Sequence, residues 1–141
     1  VRFNERAAGA VVYAMREDPL YLVLHNRFGW DFPHGLIGER ETEVAAALRE
    51  IYEETKLKVE LVPGFEERVV IRFSRGGRTI YKEIIMYLAK APSYSVKLSR
   101  EHDGYAWVGY AEALRMLSRD EMRRVLIKAN NLVKASIYQS R

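Results

Sequence analysis

Residues 42–55 (TEVAAALREIYEET) limit the fold of this chain more than any other stretch. Val44, Ala47, Leu48, Ile51 and Tyr52 recur at helical spacing, and Thr42 is placed to cap the helix they imply. Strand-like runs stand on either side of it. Residues 7–15 (AAGAVVYAM) read as a buried strand, and residues 20–26 (LYLVLHN) as its hairpin partner across a charged turn at 16–19. Residues 27–40 (RFGWDFPHGLIGER) hold three glycines and a proline without periodicity. They are expected to form a loop long enough to be functional. Beyond the helix, residues 59–62 suggest a short strand. Residues 66–73 and 79–89 suggest a hairpin turning on Gly76-Gly77, where the glycine pair supplies positive φ. Residues 105–108 are a further strand candidate. A short helix at 110–117 precedes a longer one to about residue 135, opened by a capping box from Ser118 to Glu121. This order predicts an α/β fold with a mixed sheet between helices, not a regular βαβ repeat. With 141 residues, a single domain over 1–141 is expected.

Composition narrows the function. The chain has no cysteine, so disulfides, zinc–thiolate sites and cysteine nucleophiles are excluded. A 48% hydrophobic and 30% charged chain supports an ordinary core. No apolar run approaches the roughly 20 residues of a membrane span, and residues 1–6 show no signal-peptide pattern. The expectation is a cytoplasmic enzyme or binding domain. A net charge of +4 fits an anionic ligand such as a nucleotide. Gln139 is the only glutamine, and Glu, Lys and Arg are plentiful, a balance typical of proteins from hot habitats.

The chemistry concentrates on one helix face. Glu50, Glu53 and Glu54 sit at i, i+3 and i+4, and three like charges there destabilise a helix unless something positive binds them. Mg²⁺ prefers such carboxylate oxygens. The plain alternative is a solvated acidic face paired with Arg49 or Lys56.

Residues 35–57 (GLIGERETEVAAALREIYEETKL) decide between these readings, because they resemble the Nudix hydrolase signature over its full 23 residues. The one departure is Lys56, where the signature has glycine. The resemblance implies the Nudix fold and a centre holding Mg²⁺ or Mn²⁺, more than one ion per site. Glu50, Glu53 and Glu54 would be metal ligands, joined by the carbonyl of Gly35. Arg49 and Glu41 would pair and orient the carboxylates. Lys56 would occupy a left-handed position at a cost of about 1 kcal/mol.

Three further stretches resemble the asymmetric diadenosine tetraphosphate hydrolases: residues 29–35 (GWDFPHG), residues 63–67 (PGFEE) followed by Lys82, and residues 98–107 (LSREHDGYAW). That resemblance implies a metal-reaching general base in Glu101 and phosphate contacts from Lys82 and His34. It leaves Tyr105 either stacking on a base or filling core. It also implies cleavage of diadenosine tetraphosphate to ATP and AMP. His34 replaces the usual lysine, Leu36 a histidine, Ile71 and Phe73 a stacking tyrosine, and Ala106 an arginine. Trp107 and Phe65 read as core, and His25 as a strand histidine satisfied by a neighbour. Arg68, Arg72, Arg75, Arg78 and Lys82 suggest a basic strip. The partner expected is a small nucleotide, with an RNA 5′-end as a further candidate and no DNA or membrane. Rival functions are ADP-ribose, nucleoside triphosphate or RNA 5′ pyrophosphatases, and a non-catalytic nucleotide-binding regulator.

Overall fold

The computed structural model describes residues 2–139; Val1, Ser140 and Arg141, the ends of the expected domain, lie outside the described residues. Strict two-residue alternation organises its centre. In β1 (Glu5–Met15), Ala7 and Val11 face one core, and Ala8, Ala10, Val12 and Ala14 face a second. β6 (Arg78–Lys90) runs parallel to β1 and alternates likewise, with Ile84, Met86 and Leu88 on the first side and Ile85, Tyr87 and Ala89 on the second. Strands apolar on both faces must be covered on both.

The two covers differ because the residues do. The second face is rich in alanine, and the helix α1 (Glu43–Thr55) meets it through Ala46, Ala47 and Ile51. Small side chains on both partners let the helix lie close to the sheet. The first face carries larger groups and receives α2 (Tyr110–Met116) and α3 (Asp120–Gln139). Met122, Val125, Leu126, Ala129 and Val133 of α3 form its buried stripe. The buried Tyr21 hydroxyl donates to Asn130 Oδ1 at 2.6 Å and satisfies both groups.

The sheet runs β3-β2-β1-β6-β5, with β4 also on β1 and β7 also on β2. It contains a fork. β2 (Pro19–Asn26) pairs with β1 only at Tyr13–Met15, then diverges. β3 (Gly29–Asp31) continues along β2, and β4 (His34–Leu36) continues along β1 at Ala7–Gly9. The expected loop at 27–40 is therefore partly strand, because the fork exposes backbone that it pairs. A Cβ at Gly9 would overlap the Pro33 carbonyl and His34, so glycine is what allows β4 to seat.

Other expectations shift for similar reasons. Residues 59–62 and 66–73 belong to one strand, β5 (Glu60–Arg75), whose register breaks between Leu61 and Glu66. A bulge interrupts the ladder without ending the strand. Gly76 and Gly77 turn with φ of 56° and 77°, as the hairpin requires. β7 is Gly104–Val108. The capping box at Ser118 does not form. Ser118 Oγ accepts the Trp30 N–H at 3.0 Å instead, and the first helical bond runs from Arg123 N–H to Arg119. Trp107 and Phe65 pack against core as expected. No helix among the described residues is long and apolar enough to cross a membrane.

Thr42 caps α1 through the Ala45 N–H. Lys56 closes the helix in the left-handed region, φ 62° and ψ 18°. Its ammonium lies 5.0 Å from the Tyr52 ring centroid, which offsets part of the strain. Lys56→Gly should raise stability by up to about 1 kcal/mol, a few degrees in Tm, measured by thermal melting.

Candidate active site

Four pieces of chain converge beside the C-terminal half of α1, and each is held there by identifiable bonds. The first is residues 36–41. Arg49 grips Glu41 with both arms, at 2.6 and 2.9 Å, and takes the Leu36 carbonyl at 3.0 Å. Glu41 also accepts the Gly38 N–H at 2.7 Å. The same guanidinium donates to Glu50 at 2.9 Å and to Glu53 at 3.2 Å. The expected Arg49–Glu41 pair is therefore present and extends to both carboxylates. These bonds lower the Glu41 carboxyl to about 2, with Arg49 the main cause.

The second piece is β4. A Cβ on Gly35 would overlap the Glu50 carboxylate, so the missing side chain is the space Glu50 occupies. His34, beside it, holds the Phe32 carbonyl through Nδ1 at 2.9 Å.

The third piece is residues 97–103. Lys97 and Ser99 donate backbone N–H groups to the Thr55 and Glu54 carbonyls, at 3.0 and 3.2 Å. Farther on, the Asp103 N–H reaches the His25 carbonyl at 3.0 Å, and Asp103 Oδ1 meets His25 Nδ1 at 2.6 Å. His25 is thus a satisfied strand histidine, packed on Trp30 with ring centroids 4.9 Å apart. Pinned at both ends, this loop carries Glu101 and His102 to Glu54, and His102 Nε2 lies 3.4 Å from Glu54 Oε1.

Glu54 is the unusual member. It is 3% exposed, and its Oε2 has no hydrogen-bond partner among the described residues. Burial, followed by the charges of Glu50, Glu101, Asp31 and Glu53, pushes its carboxyl up to about 9. Glu50 is raised by the same causes, burial first, against the pull of Arg49. Ser99 Oγ and His102 Nδ1 are also buried without partners. A buried carboxylate that faces like charges and leaves one oxygen without a donor suits a cation. The donor set therefore fits a hard divalent ion. Among the described residues, however, no three such groups already converge on one point, since Arg49 draws Glu50 and Glu53 toward itself.

The fourth piece comes from β5, β6 and the α2–α3 corner. With residues 26–32, His34, Glu54 and the Glu101-His102 pair it encloses a cavity of about 630 Å³. Glu54, Glu101 and His34 line it, as does Lys82, whose ammonium is pushed down by burial. Ile71 and Phe73, the residues read as replacing a stacking tyrosine, supply an apolar wall. Tyr105 does not join them: it stands 43% exposed on β7, outside the cavity lining. The expected basic strip is also broken up. Arg68 is engaged by Glu43, Glu66 and Glu83, and Arg75 by Glu5. Sequence reasoning missed Asp31, His102, Phe28 and Arg119 as cavity residues. No periodicity marks them, because Phe28, His102 and Arg119 arrive on turns or loops and Asp31 ends a strand of three residues.

A model of the NUDIX domain matches residues 3–129. The chain is 28% identical over 137 residues to the asymmetrical bis(5′-nucleosyl)-tetraphosphatase of Sus scrofa, covering 86% of this chain and 90% of that protein. It is 31% identical over 102 residues to the Mus musculus protein of the same name, covering 69% and 67%. A solved structure of a C. elegans Ap4A hydrolase in a binary complex matches with a TM-score of 0.82 at 26% identity, covering 93% of this chain and 98% of that one. The chain belongs to the Nudix family and is a Nudix hydrolase.

The Glu54 environment has a measurable consequence in chelator-treated protein. Its folded carboxyl holds a proton far above the ordinary 4.5, so the folded state binds more protons between those values. Stability is fully present below about 4.5 and should fall as pH rises toward about 9. Glu54→Gln should flatten that slope in denaturant titrations across pH.

Proposed function

We propose that this hydrolase acts on dinucleoside polyphosphates with the help of Mg²⁺ or Mn²⁺, more than one ion per site, and converts diadenosine tetraphosphate to ATP and AMP. The observation that carries the reading is the buried, partnerless Glu54 Oε2 in a cavity that also holds Lys82. Such a site suits a cation at one end and a phosphate chain along the rest. The pig and mouse relatives, and the C. elegans structure, support the choice of substrate.

Glu50, Glu53, Glu54 and Glu101, with the Gly35 carbonyl, would hold the ions. Bound there, divalent ions supply neutralisation of phosphate oxygens and acidification of water. The chain's own groups do the rest. Glu101 is positioned on its pinned loop to accept the proton of the attacking water as that oxygen bonds to phosphorus. The anhydride bond between the first and second phosphates breaks, and its bridging oxygen leaves with the ATP or the AMP. Lys82 and His34 orient the phosphate chain, and Lys82 balances its charge from a half-buried position where screening is weak. Arg49 acts indirectly, by keeping Glu41, Glu50 and Glu53 in register with the 36–41 segment.

Glu53→Gln and Glu54→Gln should each lower kcat by about 10²-fold or more, since each removes a charged ligand. Steady-state turnover at saturating Mg²⁺ decides this, and near-wild-type rates in either variant would refute the assignment. Product analysis across diadenosine tetraphosphate, ADP-ribose and nucleoside triphosphates should give the tetraphosphate the highest kcat/KM, yielding ATP plus AMP. Two ADP molecules, or a preference for ADP-ribose, would replace this reading with another pyrophosphatase. Divalent cation should also stabilise the fold, by about 2.7 kcal/mol at a hundred times Kd. The gain should shrink in Glu53→Gln, as read from melts with and without chelator at matched ionic strength.

A further inference from the structure

The cavity lining carries two groups of charge: Glu54 feels Glu101, Lys82 feels Arg75 and Arg119, and Asp31 acts on both Glu54 and Lys82. These three cations lie close enough that Arg119 and Arg75 both act electrostatically on Lys82. Arg75 is balanced by Glu5 at 2.9 Å. Arg119 is not balanced: its guanidinium makes no hydrogen bond or ion pair among the described residues. Glu5 and Asp31 supply counter-charge to Lys82 and Arg75, so the unpaired charge of the group is that of Arg119, and it favours an anion.

The chain goes to some length to put Arg119 there. Ser118 donates its N–H to the Trp30 carbonyl at 3.1 Å, and its hydroxyl accepts the Trp30 N–H at 3.0 Å. Leu117 bridges Trp30 as well. Arg123 binds the Leu114 carbonyl at 3.1 Å and also the Leu117 carbonyl, which fixes the corner from the helix side. The backbone beside Arg119 is thus stapled to β3, yet its side chain holds nothing of the fold.

From this we infer that Arg119 binds a phosphate beyond those engaged at the carboxylate end, and so selects long phosphate chains over diphosphates. The inference rests on the proposed polyphosphate activity. A guanidinium takes two phosphate oxygens at once, while Lys82 offers a point charge, so the two divide the chain between them. A diphosphate such as ADP-ribose has no phosphate left for Arg119 once the carboxylate end is filled.

The test compares wild type, Arg119→Gln and Arg119→Lys at constant free Mg²⁺. Arg119→Gln should raise KM for diadenosine tetraphosphate roughly tenfold, with kcat within about twofold, and should leave KM for ADP-ribose within about twofold. Arg119→Lys should recover most of the loss. Unchanged KM, equal rises for both substrates, a loss confined to kcat, or no recovery with lysine would each overturn the inference. Inhibition by inorganic tripolyphosphate and by pyrophosphate, against whichever nucleotide turns over, reads the same residue without assuming the substrate. Arg119→Gln should weaken tripolyphosphate about tenfold and leave pyrophosphate unchanged; equal effects on both would count against selection by chain length. If wild type hydrolyses no dinucleoside polyphosphate, the proposed function fails, while this inhibition arm still upholds or refutes Arg119.

Discussion

The guanidinium of Arg49 binds Glu41, Glu50, Glu53 and the Leu36 carbonyl at once. It ties the residues after β4 to the helix behind them and gathers carboxylates that would otherwise repel. Everything at the carboxylate end of the cavity depends on that tie. It seats Glu50 into the space left by Gly35, and Glu54, one turn on, lines the cavity with its Oε2 unpartnered among the described residues. Since the charge on Arg49 spreads over three carboxylates, it cannot neutralise all of them. Burial pushes the Glu50 and Glu54 carboxyls up, and the remaining negative charge of their neighbours adds to it.

This arrangement also explains how the sheet and the site are joined. The β1–β2 fork opens because β4 occupies the lower half of β1, and β4 can do so because Gly9 has no side chain. The alanine face of β1 draws α1 close to the same region. Helix, fork and glycine therefore place Glu50 and Glu54 against β4 through packing, before any ligand is considered. The loop at 97–103 then closes over Glu54 with backbone bonds to the end of the helix.

Much of this was legible in the sequence, where local pattern and tertiary structure agree. The apolar, β-branched runs pointed to β1, β2 and β6, and the helical spacing to α1 with its Thr42 cap. The Arg49–Glu41 pair followed from the signature. What escaped notice was decided by long-range partners. β3 and β4 exist because a fork offers them backbone to pair with, a fact absent from their own residues. Ser118 has the local chemistry of a helix cap but is claimed by Trp30, 88 positions away in the chain. Tyr105 sits in a stretch that resembles the diadenosine tetraphosphate hydrolases, yet on β7 it stands outside the cavity lining.

The stapled corner between α2 and α3 separates two kinds of constraint. Ser118, Trp30 and Arg123 are bound into the backbone network, so the position of the corner is fixed by folding. The side chain at 119 contributes nothing to that network. A lineage carrying this fold is thus free to exchange residue 119 without loss of stability, while Gly9 and Gly35 allow no such latitude. On the inference drawn for Arg119, substrate preference would drift at one position while the carboxylate cluster stays as it is, which would make the corner a natural point of divergence and of redesign.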